Sequence, residues 1–75
     1  MTKLETQILE SLYDRYEETD SRESQLNYPS DPVEKGKYLD AISNLVDDGY
    51  AEEVALSLGF AILKITPAGI RYIES

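Results

Sequence analysis

The apolar period of this chain switches from helical to strand-like at Gly49, and that switch limits what the chain can build. Before it, apolar residues recur at helical spacing. One set is Leu4, Ile8, Leu12 and Tyr16, joined by Leu9 and Tyr13. A second is Tyr38, Leu39, Ile42, Leu45 and Val46. After Gly49, residues 50 to 56 and 60 to 65 read as two strands joined by Ser57-Leu58-Gly59. The chain has 75 residues without linker, repeat or low-complexity stretch, which predicts a single domain over residues 1–75 with one small core.

Local signals set the boundaries. Thr2 and Glu5 form a capping box that opens a helix over 4–18, with Glu5, Glu10, Asp14, Arg15, Glu17 and Glu18 assigned to its polar side. Asp31 caps a second helix, followed by Pro32 at its first position and Glu34 at its third. Gly36 either costs that helix about 1 kcal/mol or divides a one-turn helix from the main one. Gly49 is its left-handed stop. Gly59 is expected to supply a positive φ in the hairpin loop. Thr66-Pro67 repeats the cap-then-proline signal, and Ile70, Tyr72 and Ile73 mark the apolar side of a short last helix. Residues 23 to 28 are expected to form a short helix that brings Leu26 and Tyr28 to the core. The expectation is therefore an α+β fold: a helical bundle with a C-terminal β-hairpin and a short closing helix.

Composition excludes much chemistry. Without cysteine there is no disulfide framework, thiolate zinc site or thiol nucleophile. Without histidine the usual near-neutral general base is missing. None of the four glycines builds a phosphate-cradling loop, and no carboxylate pair stands out as acid and base. Glu17-Glu18 and Asp47-Asp48 lack the alternating oxygen ligands of a calcium loop. The reading is a non-enzyme with no cofactor, no metal site and no evident small-molecule substrate. No apolar run approaches membrane-spanning length and no signal-peptide pattern opens the chain, so a cytoplasmic protein without membrane contact is expected.

Net charge is −8 and unevenly spread. Residues 1–34 carry nine acids against three bases, and residues 35–75 carry six against four. A surface for an anion must then lie in the second half, while the first half would repel nucleic acid.

Two stretches resemble the winged-helix superfamily. Leu39-Asp40-Ala41-Ile42-Ser43-Asn44-Leu45-Val46-Asp47-Asp48-Gly49-Tyr50 resembles the end of a recognition helix running into the first wing strand. Leu63-Lys64-Ile65-Thr66-Pro67-Ala68-Gly69-Ile70-Arg71-Tyr72-Ile73-Glu74 resembles the second wing strand and the closing helix of many winged-helix regulators. Size and this closing motif are similar to small bacterial YjcQ-like winged-helix proteins. Residues 19 to 36 depart from the pattern, because no second helix rich in alanine and leucine is legible there.

The resemblance implies a double-stranded DNA-binding transcription regulator, or a phage- or prophage-type accessory protein. Removing the apolar stripe of helix 35–48 leaves Lys35, Lys37, Ala41, Ser43 and Asn44 outward. Asn44 has the chemistry to bond an adenine edge, and the lysines to reach phosphates. Arg22 and Ser24 would add backbone contacts. The rival reading is an acidic winged-helix module that contacts protein and no nucleic acid. From Val54 to Ile65, nine of twelve residues are apolar, which exceeds what a hairpin packed on one face requires. Leu56, Leu58 and Phe60 would then meet a partner, most simply a second copy in a homodimer. A variant is a DNA mimic, whose acidic first half occupies a basic protein groove.

Overall fold

In the computed structural model, which describes residues 1–75, the elements are α1 (Lys3–Thr19), β1 (Glu23–Asn27), α2 (Pro32–Asp47), β2 (Ala51–Leu56), β3 (Phe60–Ile65) and α3 (Pro67–Glu74). The fold is α+β, with three helices and a three-stranded antiparallel sheet of order β1-β3-β2.

The helices begin where side-chain oxygens meet free backbone N–H groups. The Glu5 amide donates to Thr2 Oγ1 at 3.1 Å, and the Thr2 amide donates to Glu5 Oε1 at 3.4 Å. Val33 N–H donates to Asp31 Oδ1 at 3.2 Å. α2 runs unbroken through Gly36, so that glycine does not divide it. Gly49 does adopt the left-handed conformation, at φ 82°. Thr66 Oγ1 accepts from Gly69 N–H at 3.1 Å and donates to the Gly49 carbonyl at 2.6 Å. One hydroxyl thus caps α3 and holds it to the turn that ends α2.

Two expectations about the turns and strands are corrected. Gly59 does not take a positive φ, and the hairpin closes instead through Ser57 N–H to the Phe60 carbonyl at 2.8 Å. Residues 23 to 27 form a strand, not a short helix. Five residues cannot offset the cost of helix nucleation, whereas along β3 each finds a ready ladder partner. Their period is two: Ser24 and Leu26 lie opposite the buried Leu63 and Ala61, while Glu23, Gln25 and Asn27 are exposed. Leu26 and Tyr28 do pack on the core, as expected, from an extended backbone.

The core joins three layers of contact. α1 gives Ile8, Leu9 and Leu12, α2 gives Ala41, Ile42 and Leu45, and the sheet gives Ala51, Ala61, Leu63 and Ile65. Burying each large aliphatic among them contributes about 1.5–3 kcal/mol. β3 is the central strand and alternates strictly, Ala61, Leu63 and Ile65 inward. Ala41, read as an outward residue of α2, is buried, and Leu39, read as buried, is exposed. The buried face of α2 is therefore rotated from Leu39 toward Ala41. Gly69 is buried because α3 passes over the Tyr50 backbone, where a side chain would overlap the Tyr50 carbonyl. Tyr72 lies against Tyr50 with ring centroids 5.1 Å apart. Tyr13 donates its hydroxyl to Glu74 at 2.9 Å, joining α1 to α3. The carboxylates of Glu17 and Glu74, as acceptors, push the Tyr13 pKa well up. No helix is long and apolar enough to cross a membrane.

Candidate functional site

The site is a groove of about 360 Å³ between α2 and β2. Its floor is the apolar pair Ile42 and Val46, one helical turn apart on α2. Leu39 and Leu56 form its sides toward the hairpin tip, and Asp47 and Glu53 stand at its other end, by the α2 C-terminus. The direction follows from chain order: β2 begins just after α2 stops, so it runs back along the helix.

A bulge in β2 builds one wall. Glu53 pairs with Leu63 and Ala55 with Ile62, leaving Val54 without a ladder partner of its own. Glu53 and Leu56 are three residues apart and would face opposite sides of a regular strand. With the extra residue between them both lie opposite inward residues, Leu63 and Ala61, and both enter the groove. β2 is also an edge strand, because it pairs with β3 alone.

Apolar surface continues from the groove to the tip. Leu39 is 38% exposed, Val54 48%, Leu56 50% and Leu58 89%. Lys35 reaches the tip from α2 and donates to the Leu58 carbonyl at 2.6 Å, with its ammonium 5.3 Å from the Tyr28 ring centroid. That contact fixes the hairpin against α2 and adds a cation–π attraction. The Tyr28 hydroxyl is buried without a hydrogen-bond partner. Desolvation, then the charge of Glu53, pushes its pKa up and keeps the phenol neutral.

The residues read as DNA contacts do not gather on one basic face. Lys35 is held at the tip, and Lys37 pairs with Glu34 at 3.2 Å on an exposed turn. Asn44 donates its amide to Glu5 Oε2 at 3.0 Å. Ser43 is exposed and lies on the groove wall among apolar neighbours. Arg22 is exposed beside the end of β3, where its carbonyl accepts from Ile65 N–H at 3.0 Å, at the opposite end of that strand from Lys35. Glu5, read as a residue of the polar side of α1, is 5% exposed. Asn44 holds its carboxylate below the ordinary range, against a smaller desolvation effect in the other direction. The carboxylate is therefore built into the α1–α2 contact.

The three hairpin residues read as an interface divide between two surfaces. Leu56 lines the groove and Leu58 sits at the tip. Phe60 lies on the outward face of β3, opposite Asn27 of β1. Asp47 and Glu53 were not legible as site residues, since each reads as an ordinary solvated acid. Leu39 reads in the sequence as a core residue, and only its place at the margin of the apolar stripe hints at exposure.

No protein-family model, curated protein or solved structure matches the chain.

Proposed function

We propose that this chain is a small winged-helix protein, similar to the YjcQ-like kind, whose groove between α2 and the hairpin binds another protein. The element order, with a hairpin after α2 and a short closing helix, supports the winged-helix part. The observation that carries the functional part is the run of exposed aliphatic side chains at Leu39, Val54, Leu56 and Leu58 around a groove floored by Ile42 and Val46. Contiguous apolar surface of this kind costs solubility unless a partner covers it.

The rival is the DNA-binding regulator. Lys37 and Ser43 stand exposed on α2 in its favour. Against it weigh the commitment of Lys35 and Asn44 to internal contacts and the net charge of −8. Phosphate binding draws on basic side chains, and its loss with salt counts them.

A photo-crosslinking residue in place of Leu58, used in cells that express the protein, tests the proposal. A discrete protein adduct that is lost on adding Leu56→Asp is the expected result. The mass of the adduct separates a second copy from a different chain. A mixed-sequence duplex at low salt provides the second arm, read by fluorescence anisotropy. No binding is expected. Binding that weakens steeply with salt, with a slope reduced by about 1 in Lys37→Ala, would replace the proposal with the DNA reading.

A further inference from the structure

We infer that the groove takes an extended segment of a different protein, with aliphatic side chains that enter between Leu39 and Leu56 and a lysine or arginine that meets Asp47 and Glu53. This rests on the protein-binding reading above and names the partner's chemistry.

Three observations select that occupant. First, the two ionisable side chains lining the groove are both acids, and both lie at one end. The α2 C-terminus adds the negative end of its dipole there, with Asp48 as the cap and no base in the last turn. A cation on the partner would satisfy all of these at once, and charge complementarity of this sort sets both encounter rate and partner choice. Second, no base lines the groove, and Lys35 stands beyond its Leu39–Leu56 end, held against the Leu58 carbonyl. The field therefore runs along the groove and fixes the direction in which a segment lies. Third, β2 is an edge strand whose outer N–H and C=O groups pair with no neighbouring strand. An extended segment laid beside it gains main-chain bonds, with alternate side chains turned into the groove.

A second copy fits less well. A twofold dimer places the same surface on itself. Each copy carries net charge −8, so such a pair brings two strongly acidic chains together. Like charges brought together oppose that assembly.

Three fluorescein-labelled octapeptides test the inference against the whole chain: alternating leucine and lysine, alternating leucine and glutamate, and alternating serine and lysine. Anisotropy gives affinity, and amide chemical shifts give position. The leucine–lysine peptide is expected to bind at least tenfold more tightly than either other peptide and to shift the amides of Val46, Glu53 and Leu56. Combining Asp47→Asn with Glu53→Gln should weaken it about tenfold. Both are exposed positions at which the fold loses no packing. Leu56→Asp should weaken it further, with the circular dichroism spectrum as the check on folding. Equal binding of the leucine–glutamate peptide would overturn the inference and leave the protein-binding reading standing. So would a concentration-dependent dimer that moves the same amides. Shifts confined to Glu10, Asp14 and Glu17 on α1 would overturn it too, by showing only general attraction of cations. If every peptide leaves the groove unshifted and the crosslinker at position 58 forms no adduct, the inference and the reading beneath it fall together.

Discussion

Asn44 donates its side-chain amide to Glu5 Oε2 at 3.0 Å, so the α2 residue with the chemistry for reading a base edge instead holds α2 to α1. The contact spans 39 residues of chain and joins the first helix to the second. It also lowers the Glu5 pKa, and that shift has a pH signature.

A carboxyl whose folded pKa lies below its unfolded value stabilises the fold fully above the unfolded value, here 4.5. The contribution fades as pH falls from there through the lowered folded value. Asn44→Ala should therefore destabilise the protein at pH 7, and the difference from the parent should shrink at pH 3. Urea unfolding at the two pH values measures it. A difference that stays constant would mean that the Glu5 charge is not what Asn44 stabilises.

Thr66 carries two bonds through one hydroxyl, to the Gly69 amide and the Gly49 carbonyl. Thr66→Ala should cost about 1–2 kcal/mol, and Thr66→Ser should restore most of it. An unchanged denaturation midpoint in Thr66→Ala would show that α3 does not depend on its cap.

Gly69→Ala places a methyl group onto the Tyr50 carbonyl. Backbone is the obstacle, so α3 must move as a whole. A loss of about 1–3 kcal/mol is expected, with weaker contact between Tyr72 and Tyr50. Thermal unfolding with near-ultraviolet circular dichroism reports both effects. A neutral result would require α3 to sit farther from β2 than described.

Tyr28→Phe removes a buried hydroxyl that has no partner. The ring and its contact with Lys35 remain. Stability should stay level or rise by up to about 1 kcal/mol, since an unsatisfied buried donor is unfavourable. A loss of more than about 1 kcal/mol would show that the hydroxyl is bonded in solution.

What was legible in the sequence is what local chemistry decides. Thr2, Asp31, Gly49 and Thr66 each fix a boundary through one hydrogen bond or one dihedral angle, and each acts where expected. β1 is not legible because Glu23 to Asn27 has little propensity of its own, and its strand form depends on a β3 edge formed 37 residues later. Leu39 and Ala41 exchanged places because both sit at the margin of one helical stripe. Spacing alone cannot say which of two marginal residues the sheet will cover. The groove was partly legible through the surplus of aliphatic residues in the hairpin. Its acidic end is not, because Asp47 and Glu53 converge only through the reversal at Gly49 and the register of β2 on β3.

Val54 is one residue more than the ladder of β2 and β3 needs. Removing it would leave Glu53 opposite Leu63 and Leu56 opposite Ala61, now in regular alternation, with only the local twist relaxed. Three helices and their common interior would be undisturbed. Val54 thus sets how the β2–β3 arm twists, while the side on which Glu53 and Leu56 lie stays the same.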